Sequence, residues 1–351
     1  VCRKTQEVGV IGPNDRGFHT HIGCAFDRDL AEVDCVSCGQ CIVACPTGAL
    51  SEKDDTARVL AALNDPAKHV VVGPAPSIRV TLGECFGLPI GTNVEGKMVT
   101  ALRRLGFDKV FDTNFSADLT IMEEGSELLK RIREGGKLPM ITSCSPGWVT
   151  YLEKHHPELI GHLSTAKSPQ AMFGAVAKTY YAQKMGWDPH DVVSVSVMPC
   201  TAKKMEVQKE RVKPYIDSCI TFEELQALFD SRDIDLKSLP EGVLDNASYY
   251  GRIFARSGGL SDAVTQALKE QGLDQTFELK AIACDGIEAC RMALLKASKK
   301  VLPANFIEGM ACIGGCIGGA GCLTHGDKNK ADVDKYGREA MEKTISDAIG
   351  V

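Results

Sequence analysis

Short runs of β-branched and other apolar residues alternate along this chain with segments whose apolar positions recur at helical spacing. The runs expected to form strands are residues 69–73, 109–111, 138–141, 192–197 and 280–283. The segments expected to form helices are residues 96–105, 116–134, 147–156, 169–185, 221–229 and 259–271, with a helix-like connector at 51–68. Strands that alternate with helices indicate a layered α/β architecture.

The composition narrows the class of protein. A chain of 351 residues can bury a large core and is expected to form one or two domains. The net charge of −6 is mild, and no basic stripe indicates nucleic-acid binding. No apolar stretch is long enough to span a bilayer and no signal-peptide pattern opens the chain, so we expect a soluble, cytoplasmic protein.

Cysteine is unusually frequent, with 15 residues in the chain. In a small secreted domain such a number would indicate disulfides. Here the spacing is that of metal ligands, so we expect reduced thiols in an anaerobic or reducing compartment.

A cysteine run near the amino terminus has the spacing of a bacterial ferredoxin, Cys35-x-x-Cys38-x-x-Cys41-x-x-x-Cys45-Pro46. The first three cysteines of such a run bind one 4Fe–4S cluster, and the fourth binds the other cluster in two-cluster ferredoxins. A zinc site is the less favoured interpretation, because zinc sites rarely use four cysteines this tightly spaced.

Two assignments of the fourth ligand are open. Cys2 stands where the last cysteine of a preceding, truncated run would fall, so it would complete the first cluster while Cys45 would serve a cluster further upstream. In a one-cluster module, Cys45 would complete the cluster and Cys2 would be idle. Because the chain begins at Val1 without Met, we expect it to be a piece of a longer polypeptide.

Three further cysteine segments lie far apart in sequence. Residues 142–148 read Thr-Ser-Cys-Ser-Pro-Gly-Trp around Cys144, residues 198–206 contain Cys200, and residues 308–316 contain Cys312 and Cys316. The segments follow strand-like runs, and α/β folds place ligands at the carboxyl ends of their strands. Thiolates that converge from distant segments indicate a buried metal cluster.

In order and in type, these three segments resemble the signature segments of the iron-only (FeFe) hydrogenases. The resemblance implies an α/β fold with a two-lobed FeFe-hydrogenase catalytic domain, preceded by a small ferredoxin-like iron–sulfur domain. We therefore expect the ferredoxin-like domain in residues 1–55 and the catalytic domain, with a carboxyl-terminal helix, in residues 56–351.

The resemblance also implies an activity and a cofactor. Members of this family reversibly reduce protons or oxidise dihydrogen at an H-cluster, in which one cysteine bridges a 4Fe–4S cube to a di-iron unit with carbon monoxide, cyanide and azadithiolate ligands. The implied partners are a ferredoxin or another iron–sulfur redox protein, and the hydrogenase maturases.

The resemblance implies a role for each residue that matches a functional position of the family. Cys200 and Cys312 match ligands of the cube, Cys316 matches the bridging cysteine, and Lys203 matches a lysine that binds a cyanide. A buried ammonium needs an anionic partner, which the cyanide would provide. The residues that match the other surroundings of the di-iron unit are Ala75, Pro76, Ser77, Gln170, Met198, Phe254 and Met310.

The family moves protons through a thiol, two glutamates and a serine. Glu124 and Glu127 match the glutamates and stand at i and i+3 on one predicted helix face, and Ser164 matches the relay serine. A solvated helix face is the competing interpretation of these two glutamates.

The first segment departs from the family pattern, which has two adjacent cysteines before Pro-Gly-Trp. The relay position is held by Cys144, and the position of the cube ligand is held by Ser145. Two outcomes are open. In the first, Cys144 stays a relay thiol, and Ser145 either binds iron through oxygen or leaves the cube short of a ligand. In the second, the loop shifts by one residue and Cys144 becomes the ligand. Sequence reasoning favours Cys144 as the ligand, because thiolate is the better partner for a cube iron. Ser145 would then be a poor proton relay, which predicts slow turnover and fits a hydrogen-sensing role.

The alternative interpretation is that the chain is a non-enzymatic protein that takes part in iron–sulfur cluster assembly. The eukaryotic assembly relatives of the hydrogenases keep the cysteines but lack the di-iron unit. The residues needed only with a di-iron unit, among them Lys203, Gln170 and Met198, are all present, which favours the hydrogenase.

Overall fold

The structure, a computed structural model, describes residues 1–244, 247–272, 277–323 and 330–350. Its strands are β1 Gly12–Asn14, β2 His21–Gly23, β3 His69–Pro74, β4 Lys109–Val110, β5 Met140–Ile141, β6 Val192–Val197, β7 Ser218–Ile220, β8 Ala281–Asp285 and β9 Phe306–Met310. They form a small antiparallel hairpin, β1-β2, and two parallel sheets with the orders β4-β3-β6-β7 and β5-β9-β8.

Helices cover both parallel sheets. They are α1 Gln40–Val43, α2 Thr56–Leu63, α3 Ile78–Thr81, α4 Glu95–Leu105, α5 Thr113–Glu134, α6 Pro146–His155, α7 Pro169–Val176, α8 Ala182–Met185, α9 Thr201–Glu206, α10 Phe222–Asp230, α11 Tyr249–Arg252, α12 Gly259–Glu270, α13 Ile287–Ser298, α14 Lys330–Arg338 and α15 Ile345–Ile349. A π-helical turn, Ala177–Tyr181, joins α7 to α8. Within the described ranges, none of the helices is long and apolar enough to cross a membrane.

Each parallel sheet organises a hydrophobic core of its own. In the first lobe, Val72 of β3 and Val195 of β6 pack with residues of α4 and α10, such as Leu102 and Phe222. In the second lobe, Trp148 of α6 packs with residues of β9 and α13. The predicted α/β architecture with two lobes is therefore confirmed.

The predicted strands are present: β6 has the predicted ends, and the ends of the others differ from the predicted ends by one or two residues. The strands β7 and β9 were not predicted. The run that forms β7 is only Ser218–Ile220, too short for its alternation to be recognised. The run that forms β9 contains Glu308 and Gly309, residue types that are unfavourable in strands, and Glu308 is fully buried there. Tertiary packing, and not local preference, makes these segments strands.

Gly309 of β9 allows the close approach of Trp148, the largest fully buried side chain. A Cβ atom at position 309 would overlap the indole ring, so Gly309→Ala must push β9 and α6 apart. We expect this overpacking to lower stability by about 1–3 kcal/mol and to lower the thermal unfolding midpoint.

The control for this prediction is Gly12→Ala in β1, because nothing lies within 4 Å of a Cβ atom built at Gly12. Unfolding followed by tryptophan fluorescence measures both variants. Equal midpoints for the two variants would show that the contact between Gly309 and Trp148 does not limit the packing of the second lobe.

Candidate functional site

The carboxyl ends of β3, β5, β6 and β9 open onto one cavity. Parallel strands bring the loops that follow them to the same edge of a sheet, which is why sequence segments so far apart meet here. The predicted site residues that line this cavity are Cys38 of the ferredoxin run and Ala75, Pro76, Cys144, Ser145, Gln170, Met198, Cys200, Lys203, Phe254, Met310, Cys312 and Cys316.

Burial dominates the electrostatics of the cavity thiols. It raises the pKa of Cys316 to about 12 and the pKa of Cys312 well above the ordinary thiol value. The thiolate charges of Cys200, Cys38 and Cys316 add to the effect of burial on the pKa of Cys312. A metal cluster relieves this repulsion, because each thiolate then binds a cation.

The arrangement differs from a site for a single ion. Within the described residues, no group of three or more His, Cys, Asp or Glu side chains is arranged to hold one metal ion. A 4Fe–4S cube does not need such convergence, because each of its irons takes one protein thiolate. The donor set of the cavity therefore fits a cluster.

Lys203 of α9 is the cation of the cavity. Its Nζ donates to the backbone O of Cys144 at 2.9 Å and to Oε2 of Glu206, one turn along the same helix, at 2.9 Å. A cyanide was expected to be the anionic partner of this buried ammonium, but the protein itself provides one in Glu206. The charge of Lys203 therefore does not by itself require a cyanide.

Glu206 also orients Gln170. Its Oε2 accepts hydrogen bonds from Gln170 Nε2 at 2.9 Å and from Ser168 Oγ at 3.1 Å, while Gln170 Oε1 accepts one from Ser196 Oγ at 2.6 Å. Gln170 was expected to face a carbonyl ligand. It lines the cavity, but its amide group is held by this network.

Two buried hydroxyls near the cavity have no hydrogen-bond partner within the described residues. One is Ser77 Oγ, beside the lining residues Ala75 and Pro76, and the other is Oγ1 of Thr113, which itself lines the cavity. An unpaired buried hydroxyl is costly, so both sites suit a bound group that offers lone pairs, as cyanide and carbon monoxide ligands do.

The residues expected to form the proton relay come together. Ser164 Oγ donates to Glu127 Oε2 at 3.1 Å. Glu124 is fully buried, which raises its pKa to about 8, and neither of its carboxyl oxygens has a hydrogen-bond partner within the described residues. Burial also raises the pKa of the Cys144 thiol, and the charge of Glu124 adds to this effect. The solvated-face interpretation is wrong for Glu124.

Glu127 lies at the outer end of this relay. It lines a second, more open cavity together with Lys130 and Thr165, and it forms an ion pair with Arg131 at 2.6 Å. Arg131 also donates to the backbone O of Leu163. Arg131 was not predicted as a site residue, although its position four residues after Glu127 on a helix is the spacing of an ion pair.

Five of the amino-terminal cysteines influence one another and one does not. Burial, with a smaller effect of the thiolates of Cys41, Cys35 and Cys2, raises the pKa of Cys38 to about 12, and Cys35 and Cys2 add to the effect of burial on Cys24. Cys45 lies apart, with Sγ 3.5 Å from Thr47 Oγ1, and hydrogen bonds from Thr47 lower its pKa to about 7. This grouping matches the assignment in which Cys2 completes the first cluster.

Comparisons with known proteins agree with this geometry. Residues 68–320 match the family "Iron only hydrogenase large subunit, C-terminal domain", and residues 32–51 match "4Fe-4S binding domain". The chain therefore belongs to the iron-only hydrogenase family.

The relatives include the NADP-reducing hydrogenase subunit HndD of Solidesulfovibrio fructosivorans, which is 41% identical over 93% of this chain and 62% of its own length. Iron hydrogenase 1 of Clostridium pasteurianum is 39% identical over 95% of this chain and 64% of its own length. The chain thus spans less than two thirds of either relative.

A more distant relative is the cytosolic Fe-S cluster assembly factor narfl of Danio rerio, 29% identical over 79% of this chain and 76% of its own length. Among solved structures, an [FeFe]-hydrogenase HydA described for stepwise H-cluster assembly superposes with a TM-score of 0.71 at 32% identity, covering 84% of this chain and 91% of that one. This match confirms the fold.

The grouping of the amino-terminal cysteines predicts unequal effects of two substitutions. Cys2→Ala should remove about four irons per chain, because it takes a ligand from the first 4Fe–4S cluster. Cys45→Ala is the matched control and should leave that cluster in place. Iron content and the electron paramagnetic resonance signal of the reduced protein measure both. Loss of the cluster in Cys45→Ala, but not in Cys2→Ala, would reverse the assignment.

The ferredoxin interpretation itself predicts that Cys38→Ala also removes about four irons per chain. An unchanged iron content in this variant would mean that the amino-terminal run does not bind a cluster.

Proposed function

We propose that this chain binds an H-cluster in the cavity lined by the cysteines and there reversibly reduces protons and oxidises dihydrogen. The single observation that carries the proposal is that Cys200, Cys312, Cys316 and Lys203 line one cavity together with the Cys144-Ser145 pair. When bound, the cluster supplies the redox chemistry of dihydrogen, and the protein binds it, orients it and delivers protons and electrons.

Thiolates of Cys200, Cys312 and Cys316 would hold the cube, with Cys316 as the bridge to the di-iron unit. Lys203 would bind a cyanide, and Glu206 keeps it charged and pointed at the cavity through a 2.9 Å contact. The pKa of Lys203 stays above its ordinary value despite burial, because Glu206 and the thiolates of Cys144 and Cys200 favour the charged form.

The apolar part of the cavity would keep water away from the di-iron unit. Met198, Phe254 and Met310 are each buried and line the cavity. Together with Ala75 and Pro76 they form a wall with few polar atoms, so charges inside the cavity interact strongly and bulk water has little access.

Protons would move between solvent and the cavity along the relay. Glu127 would exchange protons with the outer cavity, and the hydroxyl of Ser164 would pass them on to Glu124. With a pKa of about 8, Glu124 can hold and release a proton near neutral pH. Cys144 would be the last group of the relay, because it lines the cavity and the charge of Glu124 adds to the effect of burial on the pKa of its thiol.

In this assignment Cys144 is the relay thiol, and the fourth position at the cube falls to Ser145, which immediately precedes α6 and also lines the cavity. From the sequence it was the less favoured of the two assignments. The opposite assignment, with Cys144 as the ligand, would make turnover slow and suit a hydrogen-sensing protein, because the hydroxyl of Ser145 is a poor acid.

Residues 1–55 would form the electron-transfer module, with a ferredoxin or another iron–sulfur protein as redox partner, and hydrogenase maturases would supply the di-iron unit. Function in a cytoplasmic, anaerobic setting fits the reduced thiols. The alternative, a cluster assembly protein without a di-iron unit, is supported by the relative narfl. It leaves the buried hydroxyls of Ser77 and Thr113 without a partner.

Infrared spectroscopy tests the cofactor. Protein coexpressed with hydrogenase maturases, or reconstituted anaerobically with a synthetic di-iron mimic, should show cyanide and carbonyl stretching bands, because Lys203 and the cavity thiols would retain the di-iron unit. A cube without such bands after reconstitution would favour the assembly protein over the hydrogenase.

Substitutions at the Cys144-Ser145 pair separate the two assignments. If Cys144 is the relay thiol, Cys144→Ala should keep the cluster and abolish turnover, whereas a ligand role would make the same substitution lose or cripple the cube. Ser145→Ala is the matched variant: it should disturb the cube only if Ser145 binds iron. Iron content, cube spectra and hydrogen production measure both variants.

Ser145→Cys restores both cysteines of the family pattern. If Ser145 at present serves as the relay, the variant regains a general acid, and hydrogen production should rise roughly tenfold to several hundredfold. If Cys144 is already the relay, the main change should be in the cube spectrum. An unchanged rate with an intact cluster would remove the slow-relay argument for a sensory role.

A further inference from the structure

A side chain of the amino-terminal module contacts a ligand of the proposed cube directly. Gln40 follows the first turn of the ferredoxin run, between Cys38 and Cys41. Its Nε2 lies 3.6 Å from Cys312 Sγ and 3.2 Å from the backbone O of Gly318. The loop that would hold the first cluster therefore reaches the thiol that would hold the second.

The chemistry of the neighbours fixes the direction of these contacts. A backbone carbonyl can only accept a hydrogen bond, and a metal-bound thiolate can also only accept one. Both lie on the same side of the Gln40 amide, so its NH₂ group must face them and donate to both.

Packing around the loop holds Gln40 in this position. Gly39 has φ +70°, and a Cβ atom there would lie 2.6 Å from Cβ of Ala320 and would also overlap the side chain of Thr201. Thr201 Oγ1 donates to the backbone O of Ser37 at 2.8 Å. The ferredoxin loop thus sits tightly against the segments that follow Cys200 and Cys312.

A hydrogen bond to the sulfur of a cluster ligand stabilises the more negative, reduced form of the cluster and so raises its reduction potential. We propose that Gln40 is a positioning residue that donates an N–H···S hydrogen bond to Cys312 and thereby raises the reduction potential of the cube above the value it would have without this bond. The higher potential favours electron transfer from the first cluster to the cube. This inference rests on the proposed function only in that a cube is bound at Cys312.

The test uses the full chain reconstituted anaerobically with its 4Fe–4S clusters and without the di-iron unit. Gln40→Leu removes the donor without adding charge, and Gln183→Leu, at an exposed glutamine of α8, is the control. A redox titration followed by electron paramagnetic resonance reports both clusters. The Cys200→Ala variant, in which only the first cluster should form, assigns the steps.

We expect Gln40→Leu to keep the iron content of the unchanged protein, to shift the midpoint potential of the cube at Cys312 to a more negative value and to leave the first cluster in place. Gln40→Glu, which replaces the donor by a negative charge, should shift the same step further. Gln183→Leu should shift neither step.

Unmoved potentials in Gln40→Leu with full iron content would overturn the inference. Equal shifts of both clusters would also overturn it, because they would indicate a general loosening of the loop. A protein that binds about four irons instead of about eight before any substitution would contradict the proposed function itself, and this result is distinct from the other two.

Discussion

The cavity gathers negative charge where water cannot solvate it, and the rest of the site depends on this constraint. Burial raises the pKa of Cys312 and of its neighbours Cys200 and Cys316, and thiolate charges add to this effect at Cys312 and Cys316. In a site of this kind the thiols either keep their protons or share their charge with metal ions. Lys203 offsets part of the remaining charge, and Glu206 keeps Lys203 in place. Cofactor binding and folding are thus linked, since the cluster removes the repulsion that the protein creates.

The same constraint explains why the site lies between two lobes. A single parallel sheet brings a few loops to one edge, but here each sheet supplies some of the thiols, Cys200 after β6 of one sheet and Cys312 after β9 of the other. The 2.9 Å hydrogen bond from Lys203 Nζ to the backbone O of Cys144 joins the segment after β6 of the first sheet to the segment after β5 of the second. The cation of the cavity therefore both balances charge and joins the lobes at the place where the cluster would bind.

Much of the fold and of the candidate site could be predicted from the sequence, because many of their features are specified by a local pattern or by a residue type. Strands such as β3 and β6 have a local pattern, and cysteines at ligand spacing carry their chemistry in their residue type. No local pattern or ligand spacing distinguishes Thr113, Gln40 and Glu206 in the sequence. Their importance comes from tertiary contacts: an unpaired hydroxyl at the cavity, an amide that reaches a distant thiol, and a carboxylate that orients a lysine.

The wall of the cavity beside Ala75 is fixed by charge as well as by packing. Arg79 is completely buried, donates to the backbone O of Pro74 at 2.8 Å and to that of Ala75 at 2.5 Å, and forms an ion pair with Asp112 at 2.7 Å. Asp112 caps α5, whose first residue is Thr113. One guanidinium group thus holds two neighbouring parts of the wall that would face the di-iron unit. Removing one partner of a buried ion pair leaves an uncompensated buried charge and is strongly destabilising, so the position of this wall depends on both Arg79 and Asp112.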